Sequence, residues 1–285
     1  MTRGFVRSED EGVATGRTRP KAGPRVAVAG GTGAVGRHVV AALAEAGAEP
    51  VVLARSAGVD LVTGQGLASA MHGVTAVIDV SNVSTQRRQT AIDFFTAATS
   101  RLLQAGRQAE VRHHVALSIV GVDRVDTGYY AGKRAQEQLV RSGPVPGSVL
   151  RATQFHEFVD QVLDIARGPI APVPVMRIQP VAAREVATAL AALALRPAPG
   201  PAPELAPELA GPEEHALPDL ARRLLRARGQ RRLVLPLRGP VAASRAVAAG
   251  ALLPTGPGPR GTQTFDQWLA TRQVAAVGEP SRGPG

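Results

Sequence analysis

The segment Gly30-Gly31-Thr32-Gly33-Ala34-Val35-Gly36 constrains the fold of this chain more than any other feature of its sequence. It follows a short apolar strand and opens a helix. Glycines at such a junction permit a tight turn, a close backbone approach to a ligand and close packing of helix on strand. A glycine turn without a ligand is the alternative. In this context the segment predicts a cradle for a dinucleotide pyrophosphate, formed by Gly30, Thr32, Gly33, Ala34, Val35 and Gly36.

The pattern of apolar residues predicts an α/β protein. Short apolar strands at 25–29, 49–54, 76–80, 113–118 and 147–151 alternate with helical segments at 36–46, 65–71, 90–109 and 129–142. Strands and helices that alternate in this way form a parallel sheet with right-handed crossovers. We therefore predict a Rossmann-like doubly wound parallel sheet with a smaller C-terminal substrate lobe.

The same pattern suggests a domain division. Residues 1–23 lack periodicity and predict a disordered leader, 24–151 an NAD(P)-binding core, 152–275 a substrate-side lobe integrated with that core, and 276–285 a disordered tail. Within the lobe, helices are expected at 155–166, 183–195, 215–228 and 241–252, and strands near 174–178 and 231–237. The proline-rich stretch 197–212 predicts an exposed connection.

The composition excludes several classes of chemistry. The chain has 285 residues and no cysteine, so it forms no disulfide and holds no thiolate nucleophile or cysteine-bound metal. Its six histidines lack the paired spacing of a zinc helix, and we expect no metal site. Because only 3% of residues are aromatic, the core must consist mostly of valine, leucine and alanine.

The net charge of +10 does not by itself predict a nucleic-acid partner. Basic residues are scattered along the chain, and no aromatic residues interleave with them to stack on bases. No segment reaches the roughly 20 apolar residues that a membrane span needs, and the N-terminus lacks a signal-peptide pattern. We expect a cytoplasmic protein that binds a small-molecule substrate and neither nucleic acid nor membrane.

The end of the second strand indicates which dinucleotide binds. NAD sites normally place an acidic residue there to accept from the ribose 2′-hydroxyl. Here the strand ends in Arg55, which could pair with a 2′-phosphate, and Arg37 at the helix start could assist. We therefore favour NADP(H), with NAD(H) possible. The alternative is that Arg55 is an ordinary surface arginine in an arginine-rich chain.

Three residues form a candidate catalytic set. Ser118 ends a strand, and Tyr129 and Lys133 follow at a spacing that places both on one face of a helix. A tyrosine has a pKa near ~10, so a nearby lysine is needed to stabilise its phenolate. Ser118 could then hydrogen-bond the substrate oxygen. Both tyrosines of the chain lie here, beside one of its two lysines, although such a pair also occurs by chance on helix surfaces.

Five segments in this order make the chain resemble the atypical or extended short-chain dehydrogenase/reductase superfamily, near its NmrA-like NAD(P)-binding branch. They are the glycine turn, Asp79-Val80-Ser81-Asn82, Leu117-Ser118-Ile119-Val120-Gly121, Tyr129-Tyr130-Ala131-Gly132-Lys133 and Leu150-Arg151-Ala152-Thr153-Gln154-Phe155-His156-Glu157-Phe158. The resemblance covers residues 25–268. It departs from many active members in the short spacing between Ser118 and Tyr129 and in the lack of an identifiable relay asparagine.

The resemblance implies further roles for residues of this chain. It implies that Asp60 and Leu61 lie beside the adenine, that Ser81 and Asn82 lie along the cofactor, and that Lys133 also holds its ribose. Thr153, Gln154, Phe155 and His156 would face the nicotinamide and substrate. His156 could instead be a packed or solvated loop residue, and Phe155 and Trp268 could serve packing in the lobe.

These features favour an NADP(H)-dependent oxidoreductase that reduces a small carbonyl, quinone or enone. Tyr129 would be the acid/base, Lys133 would lower its pKa and Ser118 would orient the substrate. Two alternatives share the same residues. One is an NmrA-like sensor that binds NAD(P)(H) and a partner protein without chemistry, and the other is an epimerase or dehydratase that uses transient oxidation.

Overall fold

The computed structural model describes residues 23–165, 167–200 and 203–278. The strands are β1 (Arg25–Ala29), β2 (Glu49–Leu53), β3 (Val74–Asp79), β4 (His113–Ile119), β5 (Gly147–Ala152), β6 (Ile170–Pro174), β7 (Arg177–Ile178), β8 (Glu204–Leu205), β9 (His215–Ala216) and β10 (Leu233–Leu237). The helices are α1 (Ala34–Glu45), α2 (Leu67–Ala70), α3 (Arg88–Gln108), α4 (Gly128–Ser142), α5 (Phe158–Asp164), α6 (Ala183–Leu195), α7 (Leu217–Ala227), α8 (Ala242–Ala248) and α9 (Phe265–Gly278).

The central sheet has six parallel strands in the order β2-β1-β3-β4-β5-β8. The chain runs outward from β1 to β2 and then crosses back to β3 on the other side of β1. The strand order therefore reverses between β1 and β3, and ligands of such sheets bind in the crevice that this reversal creates. The predicted Rossmann-like parallel sheet is confirmed.

The two faces of the sheet each bury an apolar layer. In β1, Val26 and Val28 contribute to the layer under α1 and α6, whereas Ala27 and Ala29 contribute to the layer that includes residues of α3. This division follows from the alternation of side chains along a strand. Valine, leucine and alanine fill most of both layers, so the packing on the two faces of the sheet depends little on aromatic side chains.

A smaller lobe follows the sheet in the chain. Residues of α5, β6, α7, β10 and α9 form its apolar cluster, in which Phe265 and Trp268 are buried. The parallel pair β6–β10 and the antiparallel pair β7–β9 complete the lobe. The chain also returns to the central sheet after the lobe begins, because α6 packs under β1 and β8 pairs with β5. The division at residue 151 therefore remains a prediction.

The structure differs from the sequence expectations mainly where a segment pairs with a strand or residue far away in the chain. The stretch 197–212, expected to be an exposed connection, contains β8 and the buried residues Ala206 and Leu209. The expected helix at 155–166 begins only at Phe158, because Phe155 forms a bridge with Val181. The expected strand near 174–178 is two strands, β6 and β7. The predicted leader lies outside the described residues, apart from Gly23.

Replacing Gly36 by alanine should destabilise the fold. A Cβ at this position would lie 2.1 Å from the Gly30 carbonyl oxygen and 2.7 Å from the Gly31 Cα, so backbone would have to move. Overpacking of this kind costs about 1–3 kcal/mol of the free energy of unfolding, which urea denaturation would measure. Gly200→Ala is the matched control, because a Cβ there meets none of the described atoms within 4 Å. Equal effects of the two substitutions would show that Gly36 does not hold α1 against the turn.

Candidate active site

The glycine turn lies at the point where the strand order reverses. Gly30 has a φ of 78°, which favours glycine, and a Cβ there would lie 2.9 Å from the Val80 carbonyl oxygen after β3. The Gly33 N–H donates to the Gly30 carbonyl at 2.9 Å and closes the turn. The turn therefore lies across the carboxyl ends of both β1 and β3, where a ligand of the sheet would bind.

The start of α1 fits an anionic group. The first bond within the helix runs from the Arg37 N–H to the Gly33 carbonyl at 3.1 Å, so the earlier N–H groups have no carbonyl acceptor in the helix. In the described part of the chain no side chain caps this end, and the first turn of α1 contains no acidic residue. Since helix N-termini attract negative charge, this end of α1 suits the pyrophosphate predicted from the sequence.

Arg55 lies just beyond the end of β2, in a single 3-10 turn formed by Arg55–Ala57. Its side chain is exposed and forms no hydrogen bond or ion pair with the described residues, apart from an attraction to the Asp60 carboxylate. Arg37 is also exposed, and its Nη1 donates to the Thr32 carbonyl at 3.1 Å. The Arg55 guanidinium is therefore available to pair with a phosphate.

Asp60 begins the loop that follows. Its carboxylate accepts hydrogen bonds from the backbone N–H groups of Thr63 at 2.9 Å and Val62 at 2.8 Å, and these bonds lower the pKa of Asp60 below its usual value. Leu61 beside it is half-buried. The position of both residues beside an adenine stays a prediction.

A chain of buried hydrogen bonds connects β3 to α4 and β4. The fully buried Asp79 carboxylate accepts from the Ser81 hydroxyl at 2.6 Å and from the Gln136 amide at 2.8 Å. The Gln136 amide oxygen in turn accepts from the Lys133 ammonium, which also donates to the Leu117 carbonyl at 2.6 Å. Sequence reasoning missed Gln136. The signal that could have identified it is its spacing, one helical turn after Lys133.

Lys133 is buried and weakly basic for a lysine. Burial lowers its pKa to about 8, although the Asp79 and Glu137 carboxylates favour the charged form. Its ammonium lies 4.7 Å from the centroid of the Phe95 ring, a cation–π contact. The lysine is therefore charged at neutral pH and close to losing its proton under mildly alkaline conditions.

Tyr129 lies on the same side of α4 as Lys133, because its ring also packs on Phe95 with the centroids 5.8 Å apart. Its hydroxyl donates to the Asn82 side-chain oxygen at 2.6 Å. Burial, with a smaller effect of Tyr130, raises the pKa of Tyr129 above its usual value. The tyrosine is therefore protonated at neutral pH, and its hydrogen-bond partner in the described structure is Asn82 rather than Lys133.

Ser118 occupies the carboxyl end of β4. It is buried, and its hydroxyl has no hydrogen-bond partner among the described residues. An unpaired buried hydroxyl costs free energy of roughly 1–3 kcal/mol, which a ligand oxygen could recover. Ser118 is thus suited to bind a polar atom of a ligand that reaches the end of β4.

The residues after β5 divide into two environments. Both polar atoms of the Gln154 amide lack a hydrogen-bond partner among the described residues, so this side chain is available to a ligand. His156 is fully buried, and its ring packs against Phe265 and Trp268 with centroids 5.7 and 5.6 Å away. Burial lowers the pKa of His156. These contacts place His156 in the packing of the lobe, and a substrate role for it and for Phe155 stays a prediction.

Comparison with known proteins identifies one curated relative. No family model matches the sequence. The (4-alkanoyl-5-oxo-2,5-dihydrofuran-3-yl)methyl phosphate reductase of Streptomyces griseus is 33% identical over 144 residues, which cover 46% of this chain and 48% of that protein. The chain therefore spans about half the length of the curated relative it matches.

Solved structures agree with the fold over most of the chain. A short-chain dehydrogenase/reductase superfamily protein from Agrobacterium tumefaciens with bound NAD covers 89% of this chain and 97% of its own, with 21% identity and a TM-score of 0.65. A UDP-N-acetylglucosamine 4-epimerase from Bacillus cereus covers 91% and 99%, with 16% identity and a TM-score of 0.66. The triphenylmethane reductase of Citrobacter sp. complexed with NADP(H) covers 87% and 99%, with 16% identity and a TM-score of 0.62. The chain has the fold of the short-chain dehydrogenase/reductase superfamily, as its sequence implied.

The burial of Lys133 predicts a distinctive pH dependence of stability. The pKa of this lysine is about 8 in the folded protein and near ~10.4 when unfolded, so the unfolded chain binds more protons between these values. The free energy of unfolding of the wild type, relative to Lys133→Met, should rise by about 2 kcal/mol from pH 7 to pH 10. Urea denaturation at several pH values would measure this difference. A difference that does not change with pH would mean that Lys133 keeps an ordinary pKa.

Proposed function

We propose that this chain is an NADP(H)-dependent reductase that acts on a small carbonyl, quinone or enone. The observation that carries the proposal is a pair of polar groups at the carboxyl edge of the sheet, the edge at which the glycine turn also lies. Ser118 offers an unpaired hydroxyl, and Tyr129 offers a phenol that is protonated at neutral pH. Both groups belong to elements that meet at the carboxyl edge of the sheet.

Several residues of the chain would hold the dinucleotide. The start of α1 and the glycine turn would bind its pyrophosphate, and Arg55 with Arg37 would bind a 2′-phosphate. Ser81 and Asn82, which follow β3, would lie along it. When bound, this cofactor supplies the hydride.

Tyr129 would supply the proton. The phenol is protonated at neutral pH, so it holds a proton that it can donate to an oxygen or carbon on which negative charge develops. Asn82 accepts the phenol hydrogen in the described structure, so it would hold Tyr129 in one orientation until a substrate replaces it. Ser118 would donate to the same substrate oxygen, and the Lys133 charge near Phe95 would favour the phenolate that remains.

The chemistry of the site and the name of the relative both support this substrate class. The name of the Streptomyces griseus enzyme describes a ring double bond conjugated with two carbonyl groups, and such a double bond accepts hydride readily. An enone of this kind needs one proton donor and one oxygen-binding group. Tyr129 and Ser118 would fill these two roles.

A non-catalytic NAD(P)(H) sensor is the second candidate, and one observation favours it. Lys133 donates to Gln136 and Leu117, and the pKa of Tyr129 is raised, whereas a catalytic lysine is expected to lower it. In a sensor these residues would only stabilise the sheet edge. The epimerase or dehydratase alternative uses the same residues and would require a nucleotide sugar or a similar alcohol substrate.

Cofactor binding and turnover separate these candidates. Purified protein is titrated with NADPH and NADH while the fluorescence of the reduced nicotinamide is followed. Oxidation of the cofactor is then screened with a panel of quinones, enones and aldehydes. Tight NADPH binding with turnover supports the reductase, whereas tight binding without turnover on any acceptor favours the sensor.

Tyr129→Phe should reduce kcat by at least about 100-fold, because it removes the proton donor. The Kd of NADPH should change less than about twofold, since the ring and its contact with Phe95 remain. Tyr130→Phe is the matched control, and we expect it to keep kcat near the wild-type value. Full turnover by Tyr129→Phe would contradict the proposed mechanism.

Arg55→Asp should invert the cofactor preference. The substitution removes the cation that would pair with the 2′-phosphate and introduces a carboxylate that can accept from a ribose hydroxyl. The ratio of NADH Kd to NADPH Kd should fall by about 10- to 100-fold. Arg107→Asp, which changes an exposed arginine on α3, controls for the change in net charge. An unchanged ratio of the two Kd values in Arg55→Asp would contradict the proposal that Arg55 binds the 2′-phosphate.

A further inference from the structure

The parallel pair β6–β10 leaves one apolar face exposed. Its register pairs Leu233 with Ile170, Leu235 with Pro172 and Leu237 with Pro174. Residues opposite each other in register point to the same side of a sheet. The intervening Ala171, Val173 and Val234 are buried in the lobe cluster. We refer to the other side as the leucine face, formed by Ile170, Pro172, Pro174, Leu233, Leu235 and Leu237.

The leucine face is exposed to an unusual degree for apolar side chains. Ile170 is 49% exposed, and Leu233, Leu235 and Leu237 are 66%, 45% and 47% exposed. Contiguous exposed apolar side chains on a folded protein mark a site of interaction. The interaction does not readily extend the sheet, because Pro172, Pro174 and Pro236 have no N–H group to offer to an added strand.

Positive charge surrounds the leucine face. Arg231 lies just before β10, Arg238 just after it and Arg167 just before β6, and all three are exposed. The sequence contains no aspartate or glutamate in 165–184 or in 229–262. None of the three arginines has an ion-pair partner among the described residues. The rim of the face is therefore cationic, and the ion pairs of the described residues leave its charges unneutralised.

A small cleft beside the leucine face adds donors for an anion. It has a volume of about 270 Å³, and Arg238, Ser244 and Arg245 contribute its polar side chains. Two guanidinium groups and a hydroxyl are the donor types that bind phosphate oxygens. The cleft begins where β10 ends, so a phosphate group held there would lie next to Leu237.

We propose that the leucine face binds the surface of a membrane that contains anionic phospholipid. The leucines would enter the boundary between headgroups and acyl chains, while the arginine rim and the cleft would bind lipid phosphates. None of the helices in the described part of the chain is long and apolar enough to cross a membrane, so the contact would be peripheral. The sequence predicts no membrane partner because it lacks a spanning segment and a signal peptide, but a peripheral contact needs neither of these.

Charge argues against a second copy of the chain as the occupant. A two-fold contact through this face would bring the arginine rims of two molecules together without an acidic residue from 165–184 or 229–262 to separate them. Like charges placed opposite each other at an interface are repulsive. An anionic lipid surface instead matches both the apolar face and its rim.

Vesicle co-sedimentation with the full-length protein tests the proposal. Vesicles of equal parts phosphatidylglycerol and phosphatidylcholine should bind the protein, vesicles of phosphatidylcholine alone should bind it weakly, and added salt should reduce binding. Arg231→Gln/Arg238→Gln should weaken binding by about 25-fold, since each basic residue near such a surface contributes about fivefold. Leu233→Ser/Leu235→Ser should weaken it by at least about tenfold.

Matched controls keep the outcome interpretable. Arg107→Gln/Arg141→Gln removes the same charge from exposed positions outside the lobe, and Leu205→Ser removes an exposed leucine from β8. Both should bind vesicles like the wild type, and thermal melting would confirm that every variant folds. The proposal is overturned if the protein does not bind anionic vesicles or if the control and test variants lose binding equally. It is also overturned if sedimentation reveals a dimer that the leucine substitutions dissociate, because the face would then be covered by a second copy.

Discussion

The buried Asp79 carboxylate connects the parts of this protein that a ligand would contact. It lies at the carboxyl end of β3, fully removed from solvent, where an unpaired charge would cost several kcal/mol. Hydrogen bonds from Ser81 and Gln136 to the carboxylate compensate for that cost. The amide oxygen of Gln136 also accepts a hydrogen bond from Lys133, so Gln136 links Asp79 to Lys133. The orientation of α4 relative to the sheet therefore depends on a polar interaction as well as on apolar packing.

This network also determines what Lys133 and Tyr129 can do. Lys133 points toward the Leu117 carbonyl and the face of Phe95, and Tyr129 packs on the same ring. The two side chains share a contact with Phe95, and their hydrogen bonds go to other partners. A lysine held in this way can act on the phenol only through its electric field, and such a field is stronger where water is excluded.

The core of the smaller lobe relies on aromatic packing more than the two faces of the central sheet do. Its apolar cluster includes the aromatic residues Phe265 and Trp268, and the His156 ring packs on both of them. On the other side of β6 and β10 the same alternation of side chains exposes leucines to solvent. One strand pair therefore serves both as the wall of a core and as a surface, and the arginines at its ends make that surface selective for negative charge.

The sequence by itself determined the Rossmann-like sheet, because apolar strands alternate with helices and because Gly30 and Gly36 occupy a turn whose backbone leaves no room for a Cβ. It also placed Tyr129 and Lys133 on one face of a helix, since helical spacing is a local property. Only the tertiary structure decided that Lys133 bonds to Gln136 and Leu117, that Tyr129 bonds to Asn82, and that His156 is enclosed by the lobe. Those contacts join residues far apart in the chain or depend on burial. Neither the spacing of residue types nor their composition specifies which partner a buried polar group finds.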